Sequence, residues 1–68
     1  MKVNRKAADV AMARACMTAA DVARKASVPE QTVKNALYGR TVRPRTAGLI
    51  ARALGVDVTE IIENEPED

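Results

Sequence analysis

The chain has 68 residues, one cysteine and no histidine, and its eleven Lys and Arg stand against nine Asp and Glu for a net charge of +2. That length allows one domain, close to the lower limit for a single core, with no internal disulfide and no zinc site. No apolar run approaches the roughly 18 residues of a membrane span, and the start, MKVNRKAADV, lacks a signal-peptide apolar stretch, so a cytoplasmic protein is expected.

A single tyrosine is the only aromatic residue. Abundant alanine with few glycines and prolines predicts an all-α domain of closely approaching helices. Residues 1–3 are expected to fray. Asn4 is the expected cap of a first helix running to about Ala15, with Ala8, Ala11, Met12 and Ala15 on its inward face. Cys16-Met17 makes the turn that follows. Cys16 has neither a second cysteine nor a base beside it, so a half-buried turn residue is expected there rather than a reactive thiol.

From Thr18 to Gly39 the pattern is two short helices around a tight turn. Thr18 is an N-cap, Asp21 suits a helix N-terminus, and Val22, Ala23 and Ala26 form one apolar stripe. Ser27-Val28-Pro29 interrupts it, because proline cannot continue one helix yet suits the first turn of the next. In the third helix Val33, Ala36 and Leu37 face inward, while Glu30, Gln31, Lys34 and Asn35 face out. Tyr38-Gly39 closes it, with Gly39 in the left-handed conformation. Two such helices, the second opening with amide and charged side chains, form the arrangement that enters the DNA major groove.

Arg40, Arg43 and Arg45 then fall within six residues, stiffened by Pro44, in the densest positive cluster of the chain. A fourth helix is expected from about Arg45 to Leu54, with Ala47, Ile50, Ala53 and Leu54 inward and Gly55 as C-cap. Gly48 inside it suggests close packing, since glycine there costs about 1 kcal/mol relative to alanine. Asp57 or Thr59 is expected to cap a short fifth helix over residues 60–63. Residues 1–63 thus form the domain and 64–68 an acidic, disordered tail. Charge divides along the same line. Residues 1–56 carry all the Lys and Arg against only Asp9, Asp21 and Glu30, and residues 57–68 carry six acids and no base. A basic body suits a polyanion, and the tail must point away from it.

Thr18, Val22-Ala23, Val28, Gln31-Thr32-Val33 and the run from Gly39 to Ile62 resemble the Cro/C1-type (XRE) helix-turn-helix family over about residues 4–63. Within it the chain looks most like lambdoid phage Cro proteins and repressor headpieces. The helix-turn-helix half is also similar to the LacI-type headpiece, but the preceding helix and the Ala53-Leu54-Gly55-Val56 ending favour the Cro/C1 type. The resemblance implies a compact five-helix domain of the lambda-repressor-like type. It implies base contacts from Glu30, Gln31, Thr32 and Asn35, with Lys34 reaching a base or a phosphate. It further implies phosphate contacts from Thr18, through its amide and hydroxyl, and from Tyr38, Arg40, Arg43 and Arg45. Several residues depart from the family pattern. Ala19 replaces a glutamine that contacts phosphate, Ser27 replaces the turn glycine, and Pro29 stands where a small polar residue opens the third helix. Met12 and Leu37 occupy the places of an arginine–glutamate pair between the first and third helices. Exchange of both partners for apolar residues is physically sensible, where exchange of one is not.

The resulting expectation is a sequence-specific DNA-binding transcriptional regulator of phage or mobile-element type. It would bind a palindromic operator as a dimer and use no cofactor or metal. Val56, Val58, Ile61 and Ile62 are more apolar residues than so small a core needs and are expected to form a weak dimer contact, opposed by repulsion among the neighbouring acids. The alternative is a protein-binding module, such as an antitoxin-like or anti-repressor partner. Without histidine or converging carboxylates, no acid–base or nucleophilic set is present, and an enzyme is not expected.

Overall fold

The computed structural model describes residues 1–63; the acidic tail expected at 64–68 lies outside them. Four α-helices follow one another: α1 (Arg5–Ala15), α2 (Ala19–Ala26), α3 (Glu30–Leu37) and α4 (Pro44–Leu54). The all-α class expected from composition holds. The fifth helix does not: among the described residues the chain after α4 forms only a single 3-10 turn, Val58–Glu60, under a capping box formed by Asp57 and Glu60. Helix cannot continue because the next residues pair with the N-terminus. Asn4 N–H donates to the Ile61 carbonyl at 2.6 Å, Glu63 N–H donates to Lys2 at 2.9 Å, and Val3 and Ile62 form an antiparallel bridge.

That pairing also corrects the expectation of a frayed start. Val3 is 2% exposed, and the Met1 carbonyl accepts from Val42 N–H at 2.7 Å. Residues 1–4 therefore form an extended strap between the loop before α4 and the C-terminal segment. Polar periodicity could not reveal this, because its hydrogen bonds join residues far apart in sequence.

Each helix begins and ends for a local reason. Asn4 accepts from Ala7 N–H at 2.9 Å at the start of α1. Thr18 and Asp21 make a reciprocal capping box on α2, at 3.1 and 3.0 Å. Helices α3 and α4 follow Pro29 and Arg43 with no side-chain cap, and Pro44 opens α4 one residue earlier than expected. All four helices end in the same pair of backbone bonds, which turns the chain through a left-handed residue. Gly39 and Gly55 take that conformation freely, at φ +84° and +73°. Cys16 and Ser27 take it at φ 55° and 59°, where a Cβ crowds the backbone. Cys16 is exposed rather than half-buried; the apolar contact at this turn falls to Met17, the next residue, which packs against the core.

Helix α2 is central and packs against both α3 and α4. Val22 is fully enclosed, with Ala23 and Ala26 on the same stripe, opposite Val33 and Ala36 of α3 and Ala47, Ile50 and Ala51 of α4. Small side chains allow such approach, and among the described residues no polar or charged residue is buried. Met12 of α1 and Leu37 of α3 are each half-buried against this core. An apolar pair in those places fits a core that contains no ion pair.

Ile61 is the largest of the fully buried side chains, at 0% exposure, and is held by the strap. Ile61→Ala should lower unfolding free energy by about 2–5 kcal/mol, as deletion of buried branched side chains does. Chemical denaturation measures this, and a loss comparable to a surface change would place Ile61 outside the core.

The close packing expected at Gly48 is absent: a Cβ built there meets nothing within 4 Å, and the same holds at Gly55. The two glycines differ in backbone alone. Gly48→Ala should stabilise by about 0.5–1 kcal/mol, because the site is helical and open. Gly55→Ala should destabilise by about 1 kcal/mol, because its φ is left-handed. Melting temperatures moving in the same direction for both would contradict this account.

Candidate nucleic-acid interface

The exposed face of α3 carries two side-chain pairs one helical turn apart. Lys34 Nζ lies 2.9 Å from Glu30 Oε2, and Gln31 Nε2 donates to Asn35 Oδ1 at 3.0 Å. Glu30, Gln31, Lys34 and Asn35 are therefore linked in pairs along this face. Glu30, Gln31 and Lys34 are exposed, and Thr32 and Asn35 are half-buried. The hydrogen bond and charge of Glu30 raise the Lys34 ammonium above the ordinary lysine value. Lys34 partly neutralises Glu30, which alone would repel a phosphate.

Thr32 and Asn35 also line a shallow cleft of about 360 Å³. Its other wall is the loop and first turn of α4, with Thr41, Val42, Arg43 and Thr46. The strap fixes this wall, since Val42 N–H is bonded to Met1. Arg40, Arg43 and Arg45 are exposed, and none has a carboxylate partner among the described residues. Their full charge is available to an anion, whereas Arg5, Arg24 and Lys34 each face a carboxylate. Thr41 and Thr46 were not legible as site residues, because only the fold brings the loop beside α3.

At the other end of α3, Tyr38 is 68% exposed and its ring lies 5.8 Å from the Arg5 guanidinium carbon. This cation–π contact orients the phenol and adds a cation from α1. Spacing along the sequence gives no signal for it. Thr18 sits at the start of α2, but its amide already donates to Asp21 and its hydroxyl oxygen already accepts from Asp21 N–H. A phosphate contact through the Thr18 amide therefore requires the capping box to open. The first N–H groups of α2, on Ala19 and Ala20, have no acceptor within the helix.

The C-terminal residues expected to meet a partner are divided by the fold. Val56, Val58 and Ile62 are half-buried, whereas Ile61 is wholly enclosed in its own domain and has no surface to offer a partner. Its burial by the strap is the reason. Val10 on α1 is instead 48% exposed, beside a groove of about 340 Å³ that includes Val56 and Glu60.

Residues 9–67 match the family model described as the Cro/C1-type HTH DNA-binding domain. No curated protein and no solved structure matches the chain. Among the described residues no helix is long and apolar enough to cross a membrane.

The capping box of α2 has a pH signature. Hydrogen bonds from the backbone and side chain of Thr18, with the charge of Arg24 adding less, hold the Asp21 carboxyl below the ordinary aspartate range. A carboxylate so lowered stabilises the fold above its unfolded value of about 3.9, and that contribution is lost as pH falls through the folded value. The melting-temperature difference between wild type and Asp21→Asn should therefore be full at neutral pH and shrink below about pH 4. A difference independent of pH would show that the charged box does not stabilise α2.

Proposed function

The chain belongs to the Cro/C1-type helix-turn-helix DNA-binding family, and on that premise we propose that it is a sequence-specific transcriptional regulator binding a palindromic operator as a dimer. The observation that carries this reading is one surface: a polar face on α3 beside three arginines that have no carboxylate partner among the described residues. A duplex groove meets bases through amides such as Gln31 and Asn35, and meets phosphates through cations on its rim. Gln31, Asn35 and Thr32 are the base contacts in this reading. Glu30 and Lys34 contribute there as a pair, and Thr18, Tyr38, Arg40, Arg43 and Arg45 hold the backbone.

One such domain spans too few base pairs for high selectivity, and two recognition helices set about 34 Å apart in successive major grooves remedy that. The segment after α4 supports the dimer, with Val56, Val58 and Ile62 beside the exposed Val10. The neighbouring groove has Lys6 and Arg14 on one side and Glu60 on the other, charges that two copies related by a two-fold axis can pair. Regulation then works by occupancy in the cytoplasm, in the manner of a phage or mobile-element repressor.

Titration with duplex DNA across a salt series tests the reading. Affinity should fall steeply with salt. Arg43→Ala or Arg45→Ala should weaken binding to every sequence alike and flatten the slope by about one unit. Selection from a random duplex pool should return a two-fold-symmetric site. A flat salt dependence with no enriched sequence would overturn the regulator and favour a protein-binding module.

A further inference from the structure

The hydrogen bond between Gln31 and Asn35 has a direction. Gln31 Nε2 donates and Asn35 Oδ1 accepts, at 3.0 Å. A primary amide has one carbonyl oxygen and two N–H donors. After this bond Gln31 keeps its whole oxygen and one N–H. Asn35 keeps both N–H groups, but its oxygen is engaged.

Amide resonance sharpens the division. Donation from nitrogen pushes electron density onto the oxygen of the same amide, and acceptance at oxygen makes the N–H groups better donors. The bond therefore makes Gln31 the stronger acceptor and Asn35 the stronger donor. Asn35 is also half-buried in the wall of the α3–α4 cleft, whereas Gln31 is exposed. Asn35 thus has less freedom to turn its amide and undo the bond.

The four base-pair edges of the major groove differ in this same property. Adenine offers a donor at N6 beside an acceptor at N7, which suits the oxygen and remaining N–H of Gln31. Guanine offers two acceptors, O6 and N7, which suit the two N–H groups of Asn35. Cytosine offers a donor and faces Asn35 badly. We propose that Gln31 and Asn35 read DNA as one bonded unit, Gln31 taking adenine and Asn35 donating to guanine at an adjacent step. This rests on the regulator reading above, and it adds the base chemistry of the site and the coupling between two positions. Two independent amides would both favour adenine.

Selection from a random duplex pool, with wild type and three variants, tests the proposal. Wild type should enrich adenine at one step of each half-site and guanine beside it. In Asn35→Asp the carboxylate still accepts from Gln31 but has no donor. Adenine should persist and guanine should be lost, a change of about tenfold or more in relative affinity at that step. In Gln31→Ala the oxygen of Asn35 is released. The Asn35 step should then admit adenine, although Asn35 itself is unchanged. Asn35→Ala should in turn loosen adenine selection by Gln31. Circular dichroism melts of all three, expected near wild type because neither residue belongs to the buried core, separate altered reading from misfolding.

Gln31→Ala and Asn35→Ala variants that each change only their own step would overturn the bonded unit while leaving the regulator reading intact. So would guanine at the Gln31 step with adenine at the Asn35 step, which is the pattern of a bond running the other way. A wild-type protein that enriches no sequence would sink the regulator reading and this inference together.

Discussion

Close approach of α2 to both α3 and α4 is the constraint on which the rest of the structure depends. The interface is made of Val22, Ala23 and Ala26 against Val33 and Ala36 on one side and Ala47 and Ala51 on the other. Alanine gives little apolar area per residue, so such a core gains stability only if the helices lie close and leave no gaps. Closeness in turn requires abrupt helix ends. Each helix stops in a left-handed turn, and two of the four turns are made without glycine, at Cys16 and Ser27. The turn between α2 and α3 is one of these, made through Ser27.

The outward face of α3 owes its character to the same packing. With Val33 and Ala36 buried, the helical period leaves Glu30, Gln31 and Lys34 to solvent and Asn35 half-exposed. Their separation by four residues lets them pair along the helix. The pairs limit what the surface does. Glu30 and Lys34 nearly cancel, and the amides share one hydrogen bond, so unbalanced positive charge comes from the loop at Arg40, Arg43 and Arg45. The polar face and the positive charge thus lie on two neighbouring elements, an arrangement that would suit separate base and phosphate contacts.

The strap at residues 1–4 joins regions with different roles. Through Met1 it is bonded to Val42 in the basic loop, and through Lys2, Val3 and Asn4 to residues 61–63. The strap thus links the C-terminal segment and the loop beside α3 through main-chain hydrogen bonds.

The amino-acid sequence alone determined the helices, their caps and the exposed face of α3. These depend on local chemistry: Asn4 and Thr18 accept from N–H groups within one turn, Gly39 and Gly55 take left-handed turns, and the period of Val22, Ala23, Ala26, Val33 and Ala36 marks the core. It also marked the arginine loop, as a cluster of like charge. Tertiary structure alone decided four features. It buried Ile61 and pinned Val3, which replaced an expected fifth helix and frayed start with a strap. It left Gly48 open instead of packed. It brought Arg5 to Tyr38, and it set Thr41 and Thr46 beside Asn35. In each case the deciding interaction joins residues distant in the chain or depends on what lies opposite in space. Periodicity and capping rules carry information only about neighbours within a turn or two.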